Sequence, residues 1–571
     1  MNVLKSHGLL FCLIIAAVCF NLYWHDTHRN PPVVTAHETH LSALKQIVEF
    51  RRAPLSYVAN FFSLPGRTSF FSLYNVSAIL PTSVFGVGYR QMALTSLIYY
   101  ILAVVFVYGA ARRLGAFYAA VPAAAVAATI PDVFMWSVTF NSRIAVVAAA
   151  ACALYLLVRS ESLTRPRTNA ALLILVFLSL FLGETVGENV QVTLLAAWGL
   201  VYLLIRQFVG KNPERKKTLA WFAIFCLAAA ATLIVAFAGE GYLHKFLGYF
   251  QREAATKPNP LHASDGVRSN PAALLAYPIL FYHKSLLPFL GILSGLSCVF
   301  LAASFNKKDG LVLVCLLGPL IVISLFGKKD FIYALFLMPV VAVAIGAAAG
   351  RLRSRLFSCA LAAVILFVGA ANLYGLSFPR EPGPSLKLKH DVALNRYKDM
   401  FMGTPDSLWP DPASEYEPEK IAAEISQSAK EAGTIRVVLL ADNTKDAAAM
   451  FRYFLRMKNP GGEMEIFDPF QRDFHSKYLP PAGEKETAEF VPDYVVDFLS
   501  SVDATQTRNP YERFQAFYAY TMRESSVSFS GDAYEKIQSL LSTVIWEKYE
   551  RREIKCERST ILIYKRRLDE K

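Results

Sequence analysis

Gln91-Met-Ala-Leu-Thr-Ser-Leu-Ile-Tyr-Tyr-Ile-Leu-Ala-Val-Val-Phe-Val-Tyr-Gly-Ala-Ala111, followed at once by Arg112-Arg113, decides the fold of this 571-residue chain. A run of about 20 apolar residues is the length of a helix that crosses a bilayer, and two arginines at its end fix it at a headgroup boundary. The pattern repeats. Apolar runs of this kind predict spans near 7–24, 91–111, 116–136, 139–158, 169–185, 189–207, 217–238, 284–304, 309–327, 331–350 and 356–375, about eleven in all. The mean hydropathy of +0.34 and the 54% hydrophobic content agree with a multi-pass membrane protein.

The net charge of +13 suggests nucleic acid at first sight, but its distribution excludes that reading. The excess sits at Arg112-Arg113, Arg159 to Arg167, Lys211 to Lys217, Lys307-Lys308, and Arg351, Arg353 and Arg355. These clusters fall in every second connection between spans. They predict an inside N-terminus and an outside C-terminus. The apolar segment after Lys5 has no small-residue cleavage site at Asn21-Leu-Tyr-Trp24, so it reads as a retained first span with Trp24 as an interfacial anchor.

Seven of the eight cysteines lie in apolar segments and read as small core residues; Cys556 lies beyond them, and there is no CxxC. From Ser377 onward charge is dense and no run is long enough to span. The chain therefore divides into a membrane domain, 1–375, and a soluble outside α/β domain, 376–571. In the second, Ile435–Ala441, Met464–Phe467 and Tyr494–Phe498 read as strands. Lys445–Met457 reads as a helix, and Thr543–Glu550 with Thr560–Lys565 as a closing hairpin. No GxGxxG or Walker loop supports nucleotide binding.

Two outside loops are long, 25–90 and 239–283. The first carries an amphipathic stretch, Glu38 to Arg52, and an aromatic one, Tyr57 to Tyr74; both read as helices lying on the membrane surface. Its acids are Asp26 and Glu38. The plain reading makes each a cap. Glu38 stands after Pro31-Pro32 and before the amphipathic stretch, where a lipid-linked substrate would reach it, and that favours a chemical role. His37 and His40 flank it three residues apart, which invites a divalent metal. HExxH spacing is absent, however, and solvated or interfacial histidines are the better reading.

Glu184 and Glu188 lie four apart at an outside span end. They read equally as a cation or sugar site and as an exposed turn. Lys328-Lys329-Asp330 breaks the charge rule by placing two lysines outside, where a lipid phosphate would neutralise them. The second loop adds His262 and His283.

Four segments carry a family resemblance. His37-Glu-Thr-His-Leu-Ser-Ala-Leu44 is similar to an Asp-Glu-x-x-Tyr segment after a first span. Phe85-Gly-Val-Gly-Tyr-Arg90 with Ala111-Arg-Arg-Leu-Gly115 is similar to a second-span signature. Ile130-Pro-Asp-Val and Phe140-Asn-Ser-Arg143 resemble a segment between spans three and four. Gly327-Lys-Lys-Asp-Phe-Ile-Tyr333 with Met338-Pro339 resembles a Lys-x-x-Arg-Tyr…Pro segment. Together they resemble the GT-C superfamily of polyprenyl-phosphate-sugar-dependent glycosyltransferases, in the branch of protein O-mannosyltransferases and lipid A aminoarabinose transferases, over roughly residues 7–350. Three positions depart from the pattern. His37 stands for the first acid, Asn141 and Arg143 for an acid near the fourth span, and Ile332 for the arginine.

The resemblance implies an undecaprenyl or dolichyl phosphate-linked sugar donor and a lipid, glycan or protein acceptor outside the membrane. A carboxylate would deprotonate the acceptor, Glu38 first and Asp26 as alternate. Lys328, Lys329 and Tyr333 would hold the donor phosphate. His37, His40, Glu184, Glu188, His262 and His283 would line the cavity. No cofactor is implied beyond the metal already weighed. The competing class is a transporter or a non-catalytic scaffold; charges at span ends rather than within spans favour the transferase.

Overall fold

The structure is a computed structural model. It describes residues 2–27, 49–56, 72–86, 89–160, 165–179, 186–209, 215–237, 285–304, 306–325, 331–377, five strands between 435 and 566, and a few single positions between these. Two compact units form, one of helices and one around the strands.

The helical unit opens with α1 (Asn2–Thr27). Two short helices follow, α2 (Leu73–Ser77) and α3 (Ile79–Phe85), then α4 (Tyr89–Thr129) and α5 (Pro131–Val138). Next come α6 (Arg143–Ser160), α7 (Pro166–Ser179), α8 (Val186–Val209) and α9 (Arg215–Phe237). The set closes with α10 (Leu287–Ala303), α11 (Lys307–Leu325), a 3-10 turn at Phe331–Leu337 running into α12 (Met338–Arg351), and α13 (Arg355–Ser377).

Among the described residues six helices are long and apolar enough to cross a membrane, where the sequence predicts eleven spans. Three more stretches, Leu73–Phe85 (α2 with α3), α7 and α10, are apolar but shorter. One of the six, within α4, is a hairpin. The backbone breaks at Gly115 and at Ala116, whose φ of +53° lies in a region that favours glycine. Tyr100 Oη donates to the carbonyl of Ala128 at 2.6 Å. In a straight helix these residues would stand about 42 Å apart. The two halves therefore run antiparallel, as the spans 91–111 and 116–136 require. The second half stops at Ile130, in extended backbone before Pro131, and α5 completes it.

Close packing of small residues holds the centre. A Cβ placed on Gly346 would stand 2.6 Å from Cβ of Ala123, and one on Gly350 would stand 2.9 Å from Cβ of Ala119 and 3.3 Å from Cα of Gly115. Gly115, Ala119 and Ala123 recur every four residues on α4, as Gly346 and Gly350 do on α12. This is the small-residue seam by which membrane helices approach closely.

Several expectations are corrected. Trp24 is fully buried rather than presented to an interface, because α1 turns this side into the bundle. Tyr74, the end of the expected surface segment, is also fully buried, its ring 4.8 Å from that of Phe140. In α3, Leu80 and Val84 are exposed one turn apart, as a surface helix requires. The thiols do not all sit in the core: Cys315 is buried, but Cys12, Cys19, Cys226 and Cys359 face outward, where a bilayer accepts them as readily as a core.

The strand unit holds a five-stranded sheet in the order β2-β1-β3-β5-β4, with β1 Ile435–Leu440, β2 Met464–Phe467, β3 Tyr494–Leu499, β4 Tyr549–Lys555 and β5 Thr560–Arg566. The pairs β1–β2 and β1–β3 are parallel, and β3–β5 and β4–β5 antiparallel. The closing hairpin is described from Tyr549; residues 543–548 of the expected strand lie outside the described residues. Its first strand, Tyr549-Glu-Arg-Arg-Glu-Ile-Lys555, is charged because it lies at the sheet edge, where charge blocks further pairing. The expected helix Lys445–Met457 lies outside the described residues.

Candidate functional site

Polar side chains converge where α1 ends, α4 begins, and the chain turns between α5 and α6. Burying such groups in a membrane bundle is costly without partners, so their placement is informative. Asn21 Nδ2 donates to Ser137 Oγ at 3.0 Å, tying α1 to α5. Tyr74 Oη and Ser96 Oγ stand 2.6 Å apart, and Ser96 Oγ donates to the carbonyl of Thr139. Ser72 Oγ and the Tyr74 amide both donate to the carbonyl of Leu182, at 3.0 and 3.3 Å. One turn of the chain between α1 and α4 thus anchors both the α5–α6 connection and the segment leading to α8.

Two charged residues stand on the elements that carry this cluster, one in α5 and one at the start of α6. Asp132, only 4% exposed, lies in the first turn of α5 beside Pro131, where the helix dipole favours an anion. Arg143 opens α6. Its guanidinium stands 4.3 Å from the ring centroid of buried Trp136, a cation–π geometry, and its amide donates to Asn141 Oδ1 at 3.0 Å.

Of the residues singled out by sequence, Asp26 ends α1 and pairs with Arg90 Nη1 at 3.1 Å; both are well exposed. Glu188 lies on α8 and Tyr333 in the 3-10 turn before α12, each described only by its backbone. Glu38, His37, His40, Glu184, Lys328, Lys329, His262 and His283 lie outside the described residues. Among the described residues no group of three His, Cys, Asp or Glu is gathered as for a metal. Asp132, Tyr74 and Ser72 are the members that sequence reasoning passed over. Asp132 stands within the quoted Ile130-Pro-Asp-Val, but a Pro-Asp pair reads as a helix start and does not signal burial.

The chain shares the fold of a solved membrane protein. It is similar to two crystal structures of ArnT from Cupriavidus metallidurans, each covering 98% of this chain and 98% of that one. The form bound to undecaprenyl phosphate is 13% identical with a TM-score of 0.50, and the apo form 12% identical with 0.51. The oligosaccharyltransferase AglB from Archaeoglobus fulgidus, in complex with an inhibitory peptide and a dolichol-phosphate, follows at 14% identity and TM-score 0.42, over 88% of this chain and 70% of that one. No protein-family model and no curated protein sequence matches the chain.

Proposed function

We propose that the chain is an inverting glycosyltransferase of a bacterial inner membrane, moving a sugar from a polyprenyl-phosphate donor to a lipid, glycan or protein acceptor on the outer face. The observation that carries this reading is the end-to-end likeness of fold to ArnT, whose crystal structure holds undecaprenyl phosphate. The buried polar cluster of Asn21, Ser137, Tyr74 and Ser96, with buried Asp132 on the same short helix as Ser137, supports it, because a membrane bundle keeps such groups where chemistry needs them.

In this reading the N-terminus is inside and the strand unit outside, as the basic helix ends require. Glu38 takes the proton of the acceptor hydroxyl, with Asp26 as alternate. The freed oxygen attacks the anomeric carbon from the face opposite the phosphate. The carbon–oxygen bond to the donor breaks, and polyprenyl phosphate leaves with the electron pair, a good leaving group that needs little further help. Lys328, Lys329 and Tyr333 hold that phosphate, and Glu184, Glu188, His37, His40, His262 and His283 line the cavity.

A strain lacking the gene, compared with its parent by lipid analysis and a screen of surface glycans, tests the reading. One sugar should vanish from a surface lipid, glycan or protein while a polyprenyl-phosphate sugar accumulates. Unchanged glycans and carrier lipids would overturn it.

A further inference from the structure

The end of the bundle opposite the polar cluster carries a concentration of arginine that the transferase reading does not use. Arg112 and Arg113 stand at the turn of the α4 hairpin. Arg351, Arg353 and Arg355 stand at the turn between α12 and α13. The glycine seam brings these two turns together, since Gly115 and Gly350 meet backbone to backbone. Arg355 reaches across, its guanidinium 5.6 Å from the ring centroid of Phe117 on the other turn. Arg353, at φ +49°, closes a tight turn by donating its amide to the carbonyl of Gly350.

Like charges gathered this way repel unless an anion joins them. Arg351 pairs with buried Asp309, at the start of α11. Arg112 shares a 2.7 Å contact with His7 Nε2. Among the described residues Arg112, Arg113, Arg353 and Arg355 have no carboxylate in ion-pair range. The apolar residues woven between them decide the kind of anion. Leu352 is 52% exposed, Leu356 82% and Phe357 42%. These side chains, at the ends of helices fit to cross a membrane, present an apolar surface beside the guanidiniums. A free phosphate has no use for it; the acyl chains beside a headgroup do.

We infer that the notch between the 112–116 and 351–355 turns binds the phosphate of an anionic phospholipid, with its acyl chains against Leu352, Leu356 and Phe357. Guanidinium groups suit that phosphate by bidentate hydrogen bonding. By the charge rule the lipid is one of the inner leaflet. The site is independent of the transferase reading and stands or falls without it.

Native mass spectrometry of the full chain, extracted from discs containing phosphatidylcholine and phosphatidylglycerol, counts the lipid retained. Phosphatidylglycerol should stay bound in preference to phosphatidylcholine. R353Q/R355Q should weaken its retention by roughly ten- to thirtyfold, as loss of two interfacial cations implies. R165Q/R167Q, which removes equally exposed arginines at the start of α7, should leave retention unchanged. R353K/R355K should keep most of it, which guards against misfolding of the glutamine pair. Equal losses in both glutamine pairs, or none in either, would overturn the site. So would loss in the lysine pair equal to that in R353Q/R355Q. Displacement of the lipid by millimolar inorganic phosphate would assign the notch to free phosphate and sink the lipid proposal.

Discussion

Gly346 of α12 lies so close to Ala123 of α4 that a Cβ added to it would stand 2.6 Å from the alanine's own Cβ. The carbonyl of Ala119 is also in contact, so the clash is with backbone as well as side chain. Gly346→Val should therefore destabilise the bundle by about 1–3 kcal/mol or more. Gly295→Ala, inside α10 with nothing within 4 Å of the added Cβ, should leave stability unchanged or raise it slightly. Thermal unfolding in detergent separates the two; equal midpoints for both variants would show that the seam is not tightly packed.

The α4 hairpin makes a geometric prediction. With Tyr100 and Ala128 side by side, a Tyr100→Cys/Ala128→Cys pair should be joined by a short bifunctional thiol reagent. The test is made in a background without the native cysteines. A continuous helix would hold the two sites about 42 Å apart and forbid the link. Absence of the cross-link alongside full labelling of each thiol would contradict the turn at Gly115.

The long apolar helices were legible in the sequence because the signal is local: about 20 apolar residues closed by Arg112-Arg113, or by Arg351 through Arg355, need no knowledge of the partner helix. The inner strands were legible for the same reason, as runs of Val, Ile and Leu between turns. The site was legible only in part. The bonds Ser72–Leu182, Tyr74–Ser96 and Ser96–Thr139 join residues 110, 22 and 43 positions apart, and no local pattern announces them. Asp132 is visible in the sequence only as part of Ile130-Pro-Asp-Val, because its burial comes from neighbours that the sequence does not name. The seam residues Gly115, Ala119, Gly346 and Gly350 carry a readable four-residue spacing, but which helix they meet comes only from the fold. Charged β4, Tyr549–Lys555, overlaps the expected hairpin strand only at Tyr549 and Glu550, because an edge strand carries charge that hides its pattern.

Asp26 and Glu38 can be told apart. Asp26 is 75% exposed in its pair with Arg90, so the pair adds roughly 0–1 kcal/mol. Asp26→Asn should leave folding nearly unchanged, and any loss of transfer would then be chemical. Glu38→Gln should reduce transfer by roughly 10²- to 10⁴-fold with the fold intact. Loss in Asp26→Asn but not in Glu38→Gln would move the base to Asp26, and full activity in both would sink the mechanism.

Orientation is checked by reporter fusions. Alkaline phosphatase joined at Ser377 should be active, and at Lys211 inactive, if the basic connections lie inside as the charge rule predicts. The reverse pattern would put the polar cluster and the donor site on the wrong side of the membrane.

Binding of undecaprenyl phosphate to the purified chain tests the central claim most directly. The wild type should bind it saturably. Lys328→Gln with Lys329→Gln should weaken binding by roughly tenfold or more, from charge-assisted bonds to the phosphate. Lys307→Gln with Lys308→Gln, at the start of α11, should bind as the wild type does. No saturable binding by the wild type, or equal weakening in the two double variants, would contradict a polyprenyl-phosphate donor held at Lys328 and Lys329.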